Sequence, residues 1–103
     1  MAYNTYYKLS IVPDNPVVWR TLFMIEEAGF ALTSSGASNN QCSWYEHEKD
    51  LKNLSAQFPD QLFTLKGEGD EAGDIWVKYF KAGKMQISKA LIVIEPFHPS
   101  KLE

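Results

Sequence analysis

The sequence predicts an α+β domain: a ferredoxin-like sandwich in which two helices cover one face of a mainly antiparallel sheet. Three observations lead there. A strictly alternating segment opens the chain, two amphipathic helical stretches follow, and the second half reads as short strands joined by turn residues. Helices early and a meander late favour antiparallel pairing, because consecutive strands joined by tight turns run in opposite directions. At 103 residues the chain makes one domain, residues 1–103, since two cores would leave each half too small to close.

Each element has a local cause. Thr5, Tyr7, Leu9 and Ile11 alternate with Tyr6, Lys8 and Ser10, the period of a half-buried strand, which Pro13 ends. Asn15 then caps a helix with Pro16 at its first position, where a missing N–H costs nothing. Val18, Leu22 and Ile25 form its apolar stripe, thickened by Trp19 and Phe23, and Gly29 supplies a left-handed stop before a short strand at residues 30–33. Residues 34–41, Ser-Ser-Gly-Ala-Ser-Asn-Asn-Gln, are polar and without period, and read as a mobile surface loop. Ser43 and Glu46 have capping-box spacing for a second helix, with Trp44, Leu51, Leu54 and Phe58 on one face and Glu48, Lys49, Lys52 and Asn53 on the other.

Strands are expected at residues 62–66, 75–80 and 85–94, the last two joined by a tight turn at Lys81-Ala82-Gly83-Lys84. Lys89 shares parity with Ile87, Leu91 and Val93, which calls for a bulge or an exposed edge position there. Ten basic against thirteen acidic side chains leave a net charge of −3, and Arg20 is the single arginine. That balance argues against direct nucleic-acid binding, whose affinity comes from cations neutralising phosphates. The apolar run at residues 90–94 is too short to span a bilayer, Cys42 has no intramolecular disulfide partner, and the N-terminus lacks a secretory pattern. A cytoplasmic protein without membrane contact is expected.

The segment Gly67-Glu68-Gly69-Asp70-Glu71-Ala72-Gly73-Asp74 places four carboxylates among three glycines. Glycine allows sharp turns and the carboxylates suit a hard cation or a basic partner. The spacing matches no calcium loop and no phosphate cradle, and a solvated hairpin connection is the plain alternative. No cofactor or metal is expected. Cys42 and His47 stand five positions apart near a helix start, but no local signature or orienting third residue completes a catalytic pair. Trp76, Lys78 and Phe80 share strand parity; rings interleaved with lysine can stack bases, but packing against the helices is the stronger reading.

A composite pattern runs through the second half: Trp44-Tyr45-Glu46-His47-Glu48, Leu54-Ser55, Phe58-Pro59-Asp60, Leu62-Phe63, Gly67-Glu68-Gly69, Gly73-Asp74-Ile75-Trp76 and Tyr79-Phe80-Lys81-Ala82-Gly83-Lys84. Over about Trp44 to Leu102 the chain resembles small proteins carried by phages, prophages and plasmids, relatives of a ferredoxin-like domain family without assigned activity. The resemblance implies an accessory protein that binds and blocks or modulates a host factor. The expectation is therefore a non-enzymatic binding protein, such as a counter-defence (anti-CRISPR-like) inhibitor. Its acidic residues Glu68, Asp70, Glu71 and Asp74, with Trp76 as aromatic anchor, would meet a basic surface on a host protein. The alternatives are a small metal-dependent enzyme or nucleotide-binding protein using the same carboxylates with His47 or His98, and an immunity-type protein that caps a toxin.

Overall fold

The computed structural model describes residues 5–38, 42–69, 74–89, 97 and 99–102. Its described elements run β1 (Thr5–Val12), α1 (Pro16–Phe23), α2 (Glu26–Ala31), α3 (His47–Gln57), β2 (Leu62–Gly69), β3 (Ile75–Lys81), β4 (Lys84–Lys89) and a single 3₁₀ turn (Pro99–Lys101). The strands form an open antiparallel sheet in the order β1-β2-β3-β4, with the helices on one face. This is the α+β, ferredoxin-like two-layer architecture expected, with the strands in chain order.

The register explains the core. Three rows of facing residues cross the sheet on the helix side: Tyr7–Gly67–Trp76, Leu9–Leu65–Lys78–Ile87, and Ile11–Phe63–Phe80–Met85. Alternation in β1 is complete, buried and exposed in turn from Thr5 to Val12. Val18 and Leu22 of α1, Ala28 and Ala31 of α2, and Leu51 and Leu54 of α3 close onto Leu9, Phe63, Leu65 and Phe80 to make one cluster. The opposite face carries Tyr6, Lys8, Lys66, Val77 and Tyr79, with no described element packed on it.

Asn15 caps α1 as expected, its side chain accepting from the Val17 N–H, with Pro16 at the helix start. The helix is shorter than its stripe suggests. Met24 ends it, Ile25 turns extended (φ −79°, ψ 118°), and α2 restarts at Glu26 with Gly29 inside rather than as a stop. The break sends the Ile25 side chain against the core, and the small Ala28 and Ala31 bring α2 close. Residues 30–33 form no strand, since Phe30 and Ala31 complete α2.

The loop expected to be mobile is instead pinned to β1 over residues 34–38. Gly36 C=O accepts from Leu9 N–H at 2.7 Å, Ser38 N–H donates to Tyr7 C=O at 2.8 Å, and Ser38 Oγ accepts from Tyr7 N–H. Gly36, at φ +83°, approaches so closely that a Cβ would lie 2.7 Å from the Leu9 carbonyl oxygen. Cys42 exchanges two further backbone bonds with Thr5, so the free edge of β1 is covered.

The helix α3 begins at His47 with Glu46 in the cap position, three residues later than the capping-box spacing predicts. Residues 44–46 instead form a turn that buries Trp44 beneath the helix. β2 runs on through Gly67 and Gly69, so the first three of the eight residues of the glycine-rich acidic segment are strand rather than loop. Lys89 is exposed on β4, which has no described neighbour on its far side, as its awkward parity requires. The remainder of the expected last strand, residues 90–94, lies outside the described residues.

The β3–β4 turn forms where expected, with Ala82 at φ 51° and Gly83 at φ 81°. Its Gly83 N–H donates to the Oγ of fully buried Ser55, which itself donates to the Lys52 carbonyl, so one hydroxyl bolts the turn to α3. Ala82 is the L-residue least suited to its place, because a Cβ at positive φ costs about 1–2 kcal/mol. Ala82→Asn is expected to raise stability by about 1 kcal/mol, since asparagine tolerates this conformation. Ser55→Ala, which strands the Gly83 N–H, is expected to lower it by about 1–3 kcal/mol. Urea denaturation followed by circular dichroism measures both.

Candidate functional site

At the end of the sheet where β2 leads into β3, Tyr7, Trp44, His47, Trp76 and Lys78 line a recess of about 210 Å³. Gly67 makes it possible. A Cβ there would fall 2.1 Å from the Trp76 ring, so the indole lies directly over the backbone of β2, in the gap a side chain would fill. This glycine is required by contact rather than by backbone conformation. Tyr7 and Trp76 flank it across the same row, with ring centroids 6.2 Å apart, edge to face.

Trp44 and His47 close the recess from the helix side. Trp44 is buried, its indole N–H donating to Asp50 Oδ2 at 2.9 Å and its backbone N–H to the Tyr7 hydroxyl at 3.3 Å. The His47 ring stacks on Trp76, 5.3 Å between centroids and 11° between planes. Its Nδ1 stands 2.8 Å from the Trp44 carbonyl oxygen. A carbonyl can only accept, so Nδ1 carries the proton and Nε2 keeps its lone pair. That lone pair accepts from the Lys78 ammonium at 2.6 Å.

Lys78 therefore stands in the helix-facing row, between Leu65 and Ile87, with only 12% of its side chain exposed. Its three ammonium protons have three kinds of partner: the Glu48 carboxylate at 3.1 Å, the His47 lone pair, and the Trp76 ring, whose centroid is 4.3 Å away. A buried cation without such partners would be prohibitively desolvated. Burial, reinforced by the Lys78 charge, pulls the His47 pKa below its ordinary value, against the opposing bond to the Trp44 carbonyl. Burial alone would raise Glu48, but the hydrogen bond and charge of Lys78 outweigh it and hold the carboxyl low.

The residues that the sequence singled out are distributed differently from expectation. Glu68 is exposed on the open face, in register with Tyr6 and Ile75, whereas Trp76 points to the helix side. Asp74 is half-buried at the root of the connection, where its carbonyl accepts from Gly69 N–H at 2.9 Å. Asp70, Glu71 and His98 lie outside the described residues. Trp76, Lys78 and Phe80 all face the helices, so together they make no base-stacking platform. Cys42 and His47 are not paired: the thiol is directed at the carbonyls of Thr5 and Ala31, at 3.9 Å each, and burial raises its pKa. Among the described residues, no group of three His, Cys, Asp or Glu side chains lies together as a metal site. No described helix is long and apolar enough to cross a membrane.

The Lys78–His47–Glu48 cluster went unread in the sequence. Its signal was a lysine between Trp76 and Phe80 on one strand parity, which requires either an exposed face or a buried partner. No protein-family model, curated protein or solved structure matches the chain.

Gly67→Ala is expected to destabilise the protein by about 1–3 kcal/mol, since the Trp76 ring must leave its seat. A red shift in tryptophan fluorescence accompanying the loss in urea midpoint separates expulsion of the ring from general weakening. A pH series tests the neutral imidazole. Because the His47 pKa is lowered in the fold, the unfolded chain takes up a proton that the folded chain refuses. Stability is then fully present above the unfolded value, about 6.5, and declines as pH falls through the lower folded value. His47→Gln is expected to flatten that decline in urea midpoints measured between about pH 7.5 and pH 5.

Proposed function

We propose that the chain is a non-enzymatic binding protein of the phage or mobile-element type. It acts in the host cytoplasm by engaging a basic surface on a host protein, as a counter-defence inhibitor would. The observation that carries this reading is the aromatic recess at the end of the sheet where Gly69 and Asp74, the described ends of the acidic connection, stand. The Gly69–Asp74 backbone bond that roots the connection is two residues along β2 from the Tyr7–Gly67–Trp76 row. A basic side chain drawn in by the carboxylates would meet the rings of Tyr7 and Trp76 at that row.

The chain's own Lys78 demonstrates the chemistry such a guest would use: an ammonium over an indole, with a carboxylate at hydrogen-bond distance. Cation–π contacts of this kind contribute about 0.5–2 kcal/mol each, more as water is excluded. The half-buried Trp76, held between the Gly67 backbone and the His47 ring, would serve as an interface anchor through the part of the indole that stays accessible. Acidic groups around it would speed encounter with a cationic partner and reject anionic ones.

Affinity capture from a bacterial lysate, identified by mass spectrometry, tests the proposal with Glu68→Gln, Asp70→Asn, Glu71→Gln and Asp74→Asn combined in one chain. The four changes are expected to reduce capture of the partner at least tenfold and to remove its sensitivity to salt. Capture that survives unchanged would take the acidic connection out of the interaction.

A further inference from the structure

The sheet face opposite the helices sorts charge in a way the chain's net charge conceals. Lys8, Lys66, Lys81 and Lys84 are all exposed there, and Glu68 is the one carboxylate among the described strand residues of that face. The lysines come as two directly opposed cross-strand pairs, Lys8 with Lys66 and Lys81 with Lys84. Like charges facing one another across antiparallel strands destabilise a sheet. Among the described residues no ion pair reaches any of the four; the ion pair between described residues is that of Lys78 with Glu48, on the helix side of the sheet.

Each lysine pair has a tyrosine beside it on the same face. Tyr6, Lys8 and Lys66 border a depression of about 180 Å³, with Glu68 at its rim. Tyr79, Lys81 and Lys84 border a wider groove of about 460 Å³, floored by Leu62 and Gln86. The two lysine pairs are four residues apart along the strands, about 13 Å at strand rise. An aromatic ring with a pair of ammonium groups, repeated along an open four-stranded sheet, fits a ligand in which flat rings alternate with anions.

We infer that this face binds single-stranded nucleic acid, with bases on Tyr6 and Tyr79 and phosphates on the Lys8–Lys66 and Lys81–Lys84 pairs. Stacking of bases on rings is how four-stranded sheets backed by helices can hold single strands, and here Tyr6 is exposed and Tyr79 half-buried. A duplex keeps its base faces stacked internally and offers the tyrosines nothing. An acidic polypeptide would satisfy the lysines but leave the rings unused. The site is distinct from the aromatic recess, which opens on the helix side, and does not depend on the function proposed for that recess.

Fluorescence anisotropy with labelled dT₁₂ and U₁₂ at about 50 mM salt tests the inference on the full chain. Saturable binding is expected, with a slope of log affinity on log salt of about −1.5 to −3, the range for two to four phosphate contacts on a single strand. Lys8→Gln with Lys66→Gln is expected to weaken binding about tenfold and to reduce that slope; Tyr6→Leu with Tyr79→Leu is expected to weaken it similarly and to leave the slope unchanged. The lysines are exposed, and removing opposed like charges should leave the melting temperature unchanged or higher, which separates lost binding from lost folding. Preference between the two oligomers decides DNA from RNA. The inference is overturned by absence of binding to both oligomers, by equal affinity for a duplex or for polyglutamate, by binding to anionic vesicles alone, or by insensitivity to the lysine changes.

Discussion

The contact between the Trp76 ring and the bare backbone of Gly67 is the constraint from which the site follows. An indole laid over a β-strand needs the volume a Cβ would occupy, and Gly67 is the residue of β2 that lies across from it in register. With Trp76 flat on the strand, its outer surface is free to receive the His47 ring, and its edge meets Tyr7. His47 in turn fixes where α3 begins, because its ring nitrogen holds the Trp44 carbonyl at the turn before the helix. A single missing methyl group therefore organises two strands, one helix start and a recess.

The electrostatics of the recess depend on that packing. Lys78 occupies a row otherwise made of leucine and isoleucine, and there its charge is supported by a carboxylate, a neutral imidazole and a ring. The imidazole must stay neutral for this arrangement to hold, since a second proton on it would oppose the ammonium 2.6 Å away. Burial and the lysine charge both act in that direction. Glu48, more exposed, supplies the counter-charge at the mouth. The cluster is coherent only as a whole, and such fully satisfied polar groups fix one arrangement of a core.

Much of the fold was legible because the signals were local. Complete alternation in β1, Asn15 followed by Pro16, and Lys-Ala-Gly-Lys each specify backbone conformation within a few residues. The errors arose where tertiary contacts overrode them. Gly29 has the composition of a helix stop, yet the chain turns at Ile25, because packing a partly buried isoleucine against the core outweighs the preference of an exposed glycine. The 34–38 loop reads as solvated from its polar composition, but its backbone groups had partners on an unpaired strand edge that composition does not reveal. The recess itself was half visible: Trp76 was marked, while Tyr7, Trp44, His47 and Lys78 come together only through register and the turn before α3.

Register also decides how the charge is presented. Thirteen acids against ten bases describe the chain as a whole, but a sheet exposes its two faces to different surroundings. Strand parity places Lys8, Lys66, Lys81 and Lys84 on one face and Lys78 on the other, where Glu48 compensates it. A negative total is thus compatible with a locally cationic surface, provided that the carboxylates gather elsewhere, on the helices and the β2–β3 connection. The opposed lysines oppose strand pairing by their mutual repulsion, yet they stand in the ordered heart of β1 and β2 and beside the β3–β4 turn. Strand pairing absorbs that repulsion because the buried rows beneath, Leu9–Leu65 and Phe63–Phe80, hold the register independently of what the open face carries.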